Sequence, residues 1–148
     1  MRSTIVGPAG SRSAVTAAVA SVLALIPAVP HVLFDAASGG FTAFRVSDAA
    51  AGTLVGLALS LQLLAAYSGL RGRRPGHMGV LALSLAWVVD AVVGHYGAFI
   101  PGGFRAGMGD RVAVWGVLLL QGLAAMSALS ALRASRRTSF SGTGSYGA

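Results

Sequence analysis

Few side chains in this chain could hold a metal ion or pass a proton. There are three histidines (His31, His77, His95) and four aspartates (Asp35, Asp48, Asp90, Asp110), with no cysteine, glutamate or lysine. Disulfides, thiolate metal sites and thiol nucleophiles are therefore excluded. His31 and Asp35 are four residues apart and share one face of a helix if the helix survives Pro30. Together with His95 they form a His/Asp/His set that could bind zinc and keep one coordination position open. His31 and His95 could instead be the two axial ligands of a b-type haem. HExxH and CxxC spacings, phosphate loops and nucleophile triads are absent, so motif spacing implies no resident cofactor. His77 lies in the basic turn RGRRPGH and reads as solvated.

Asp90 poses a separate question, because it interrupts the apolar run Gly79 to Ala98. A carboxyl within a membrane segment is a candidate proton, cation or ligand site. A central Asp adds about 2.5 to 3.5 kcal/mol to insertion, and the Leu and Val residues of this run return about as much. With the run ending at Ala98, Asp90 lies about 12 Å below the end of its helix and Gln121 about 14 Å below the end of the next. A Gln121 amide could then donate to the Asp90 carboxyl. Ala86, Asp90, Gly94 and Gly97 share a face of small residues that should point into the bundle, and Trp87 could line the same cavity. His95 is about 140° around the helix from Asp90, so these two groups do not converge.

These residues have to be positioned by membrane helices. Of the 148 residues 55% are hydrophobic and 10% charged, more apolar surface than a soluble domain of this size can hide. Four apolar runs, about 14–34, 49–70, 79–98 and 112–132, are each long enough to cross a bilayer. The first is too long for a signal-peptide core, and Pro27 and Pro30 should kink its last third. Gly39-Gly40 ends it, and Ser47-Asp48 can cap the second. Gly52 and Gly56 form a GxxxG that would admit another helix. Pro75-Gly76 would make the reversal into the third run, and Asp110 could cap the fourth. Tyr67, Tyr96 and Trp115 suit an interfacial aromatic belt. Residues 1–13 read as a flexible arm and residues 133–148 as a disordered Arg/Ser/Gly-rich tail.

The arginines set the expected orientation. Arg2, Arg12, Arg71, Arg73, Arg74, Arg133, Arg136 and Arg137 fall on one side of the spans, and only Arg45, Arg105 and Arg111 on the other. The positive-inside rule then places both termini in the cytoplasm. The expected fold is an all-α integral membrane four-helix bundle, antiparallel and up-down-up-down. The net charge of +7 is spread over span ends, where anionic lipid and not nucleic acid is the implied partner. The wealth of Ala, Gly, Val and Arg points to a GC-rich bacterial source and so to a bacterial cytoplasmic membrane.

The run Ala28-Val-Pro-His-Val-Leu-Phe34, followed by a Gly-containing loop and by Ser47-Asp48-Ala49 opening a second span, resembles small four-span bacterial membrane proteins of the actinobacterial type. The resemblance covers about the first 70 residues. It implies the four-span architecture and draws attention to His31, and it implies no activity. Three readings of function follow in order. The first is a structural or accessory protein without catalysis, packing with itself or within a larger membrane complex. The second is a small-ligand, ion or proton carrier or sensor using Asp90, Gln121 and Trp87. The third is a haem- or metal-dependent membrane redox protein using His31, Asp35 and His95.

Overall fold

The computed structural model describes residues 8–37, 45–96 and 107–140. Its elements are all helical: α1 (Pro8–Leu23), α2 (Leu25–Ala37), α3 (Asp48–Leu70), α4 (Arg74–Gly94) and α5 (Gly107–Phe140). No strand occurs among the described residues. Four segments are long and apolar enough to cross a membrane: Arg12–Ala36, which joins α1 to α2, Asp48–Leu70, Arg74–Gly94 and Gly109–Arg136.

The first span is broken at Ala24. Pro27 has no N–H for the Leu23 carbonyl, and its ring crowds that carbonyl, so the helix loosens one turn ahead of the proline. The ladder otherwise continues, with Ala24 N donating to Ala20 O at 3.0 Å and Ala28 N to Ala24 O at 3.2 Å. The helix then runs through Pro30, which keeps His31 and Asp35 on one face.

Ser47 caps α3 as expected, its hydroxyl accepting from Ala50 N at 3.3 Å. The reversal between α3 and α4 differs from expectation. Gly72, at φ +71, makes the turn, and Pro75 lies in the first turn of α4, where a missing N–H costs nothing. His77 is consequently buried inside α4 against Gly69 instead of solvated. Helix also replaces the expected irregular structure at residues 8–13 and 133–140.

The core is built from small side chains. Ala17, Ala18 and Ala20 of α1 meet Ala65 and Ala66 of α3, Val80 of α4, and Ala124 and Ala128 of α5. A second cluster joins Ala28, Ala91 and Val117, with Trp87 and Leu118 packed on it. The bulky residues lie outside: Leu54, Leu64, Val93 and Leu119 are all exposed. No more than 33% of any span's apolar window is buried. Small residues inside and large aliphatics outside are the arrangement of helices packed in lipid, where tails solvate leucine and close backbone approach supplies the attraction. Exposed hydroxyls agree with this reading. Thr53 donates to Ala49 O at 2.8 Å, Ser60 to Gly56 O at 2.8 Å and Ser130 to Met126 O at 2.9 Å, so none needs water.

The glycines that let helices approach are not those of the GxxxG. Gly52 and Gly56 are exposed, with nothing within 4 Å of an added Cβ, and Gly94 also faces outward. Gly97 lies outside the described residues. The close approaches are made at Gly76, where an added Cβ would run into the backbone of Ser68 and Gly69, its nearest atom being Gly69 N, at Gly79 against Ala65, and at Gly116 against Pro27. A GxxxG pattern carries little information in a chain with 21 glycines.

Candidate functional site

One end of the bundle gathers four of the seven histidine and aspartate side chains. Three of them are carried one turn from a buried contact, and Asp35 lies one turn beyond His31. His31 follows Ala28 on α2, His95 follows Ala91 on α4, and Asp110 precedes Val114 on α5. The backbone of α5 is brought close to α2 where Gly116 passes Pro27, an added Cβ there lying 3.2 Å from Pro27 Cγ. These small-residue contacts are what allow side chains from three helix ends to meet.

His31 is the centre of the cluster. Its Nδ1 lies 2.9 Å from Asp110 Oδ1. Its Nε2 lies 3.0 Å from His95 Nε2 and 3.5 Å from Asp35 Oδ2. The two imidazoles touch, with centroids 4.6 Å apart and planes at 53°. The side chains of His31 and Asp110 are 9% and 12% exposed, and that of Asp35 is 33% exposed, so the cluster is sheltered on one flank and open on the other.

Asp110 Oδ1 can accept an N–H from His31 Nδ1. With that nitrogen donating, the Nε2 of His31 is the one available to a metal, on the side of His95 and Asp35. Donor atoms of His31, Asp35 and His95 lie within 4.8 Å of one another. Four-coordinate zinc with bonds of about 2.0–2.1 Å holds its donors about 3.3 Å apart, close to the two His31 separations. A carboxylate that fixes the far nitrogen of a ligating imidazole is the usual outer partner of such a ligand. The set could therefore hold a divalent metal with three protein donors, once the direct His31–His95 hydrogen bond gives way to the ion. It does not fit haem, because two imidazoles in direct contact leave no slot for a macrocycle between them.

Asp110 was expected only as a helix cap. In the fold α5 begins at Gly107, which moves Asp110 into its first turn and frees the carboxylate to reach His31.

The Asp90 constellation is not assembled. Asp90 is exposed, with Ala86 and Gly94 on the same outward face. The inward face of α4 carries Val80, Ser84 and Ala91. Asp90 precedes Ala91 by one residue, a rotation of about 100° away from the core. Because α4 ends at Gly94, Asp90 lies about 6 Å from the helix end, not 12 Å.

Gln121 and Trp87 serve a different network. Ser84 Oγ donates to Gln121 Oε1 at 2.8 Å. Trp87 Nε1 donates to Gln62 Oε1 at 2.6 Å, and Gln62 Nε2 donates to Ser21 O at 2.6 Å. Gln62 and Gln121 are both fully buried, so all four spans contribute to a polar layer within the alanine core. The signal for Gln62 was available in its mid-span position, but its partners lie 25 and 41 residues away.

The chain matches no protein-family model, no curated protein and no solved structure.

Proposed function

We propose that this is a membrane metal-binding protein that holds one divalent ion of the zinc class through His31 Nε2, His95 Nε2 and the Asp35 carboxylate. The observation that carries this reading is the convergence of those three side chains within 4.8 Å while Asp110 holds the opposite nitrogen of His31. Three protein donors leave a fourth position for water or a small ligand, and the one-third exposure of Asp35 gives that position access to solvent. The ion would act there as a Lewis acid toward whatever occupies the open position.

The reading includes an orientation. The bundle is antiparallel and up-down-up-down, with residues 1–13, 71–77 and 133–148 on the cytoplasmic side of a bacterial cytoplasmic membrane. Its support is the arginine asymmetry, together with the placement of Asp35, Asp48 and Asp110 in or beside the two connections of the other side. The metal site then faces the exterior, where it would take its ion from the surroundings and not from the cytosol.

The test is a zinc titration of chelator-stripped protein in neutral detergent, read by calorimetry and by elemental analysis after desalting. One zinc per chain is expected, with binding lost in His31→Ala and in His95→Ala. Equal binding by wild type and the double variant would overturn the reading. A purely accessory role predicts no stoichiometric metal at all, and the same titration separates the two.

A further inference from the structure

The other end of the bundle carries a second binding surface, unrelated to the histidines. A groove of about 530 Å³ runs between the start of α4 and the end of α5, within the range of about 300–1,000 Å³ common for small-molecule sites. Its floor is aliphatic, with Leu81 and Leu85 on one wall and Leu129 on the other, and its rim holds Arg74, Arg133 and Arg136. We propose that this groove is a site for one anionic phospholipid, with an acyl chain along the leucines and the headgroup phosphate among the three guanidiniums.

Three observations select that occupant. First, the charge is uncompensated: among the described residues none of the three arginines makes an ion pair, and each aspartate of the chain lies in or near the connections of the opposite end. Second, the length fits one leaflet. From Arg74 to Leu85 the helix rises about 16 Å, half of the hydrocarbon thickness of about 30 Å. A lipid whose headgroup sits at Arg74 would therefore have its chain beside Leu85 and not beyond. Third, Arg133 and Arg136 are three residues apart on one face of α5 and line the same groove as Arg74, so three cations border one apolar floor. Guanidinium groups suit this role because they bind phosphate oxygens in a bidentate manner while their stems lie on apolar surface. Basic pockets between spans at a membrane face are established headgroup sites in general.

The experiment is native mass spectrometry of the full chain released from neutral detergent after titration with phosphatidylglycerol or phosphatidylcholine of the same acyl composition. One retained phosphatidylglycerol per chain is expected, favoured over phosphatidylcholine by about tenfold or more. The Arg74→Gln/Arg133→Gln/Arg136→Gln variant should lose that preference. Leu85→Trp, which fills the groove and leaves the arginines, should lower binding of both lipids. Equal retention of the two lipids by wild type overturns the proposal and needs no variant. So does a preference that survives the triple substitution. Displacement of phosphatidylglycerol by millimolar inorganic phosphate would mean that the rim is a free-anion site, and would overturn the lipid assignment.

Discussion

Asp110→Asn tests whether the site is organised as its geometry implies. The substitution keeps the shape of the side chain and its acceptor oxygen, so the 2.9 Å contact with His31 Nδ1 can persist. What it removes is the negative charge. Hydrogen bonds to charged groups contribute about 1.5–3 kcal/mol and neutral ones about 0.5–1.5, so the change is about 1 to 1.5 kcal/mol. The Asp110 side chain is only 12% exposed, which leaves little solvent screening to reduce that figure. At 1.4 kcal/mol per tenfold, zinc affinity should fall about five- to tenfold. Asp110→Ala also releases the ring orientation and should fall toward the hundredfold end of the range of about 10–100 found for outer-shell partners. The assay is competition for zinc against a chromophoric chelator in detergent, with circular dichroism showing that helix content is retained. If both Asp110 variants bind as wild type does while His31→Ala abolishes binding, Asp110 does not orient His31. The account of the site would then lose its outer shell.

Four further outcomes are expected. Gly76→Ala drives a methyl into the backbone of Ser68 and Gly69 and should destabilise the α3–α4 pair by about 3 kcal/mol or more, whereas Gly52→Ala should gain a few tenths; reversible unfolding in mixed detergent measures both. Gln62→Leu removes the acceptor of Trp87 and the donor to Ser21 and should cost about 1–2 kcal/mol at about 0.6 per interhelical bond plus a stranded indole N–H. In a Trp115→Phe background it should also shift the Trp87 emission. Asp90→Asn should leave zinc affinity and fold unchanged, since Asp90 touches neither the site nor the core; loss of binding would return Asp90 to the mechanism. Gly116→Val should push α5 away from Pro27 and weaken zinc binding without altering a ligand. Its effect should be non-additive with Asp110→Ala, because both act on the same His31 contact.

Class and span number were legible because they depend on runs of about twenty apolar residues, which any bilayer-crossing helix must have. The capping of α3 by Ser47 was legible for a similar reason, since it is local. The inward face of α4 was not. A small-residue face was read as inward, yet this chain places Ala and Gly on both faces of its helices. The feature that separates the faces is complementarity: Ser84 and Trp87 find Gln121 and Gln62 on other helices, whereas Asp90 finds nothing among the described residues. Such complementarity spans 25 to 37 residues and has no periodicity to betray it. His77 was misplaced because Pro75 was read as the turn itself, when Gly72 supplies the positive φ and Pro75 starts the helix. Asp110 was missed because a five-residue shift in the start of the last helix decides whether an acid caps it or leaves it.

The site depends on the same property that makes the core look weak. Alanine and glycine bury little area, and area is not the currency of attraction between helices in lipid. What they contribute is backbone proximity, and proximity is what short side chains at helix ends require. Histidine and aspartate meet across helices more readily where small residues bring the backbones close. With Ala28, Ala91 and Val117 in one cluster, and Gly116 against Pro27, the ends of α2, α4 and α5 are close enough for His31 to touch His95 and Asp110 together. Pro27 belongs to the same device, since the break it causes at Ala24 sets the course of α2 over α5. A chain of this composition with leucine at those positions would keep four helices long and apolar enough to cross a bilayer, but its histidines would not be brought together.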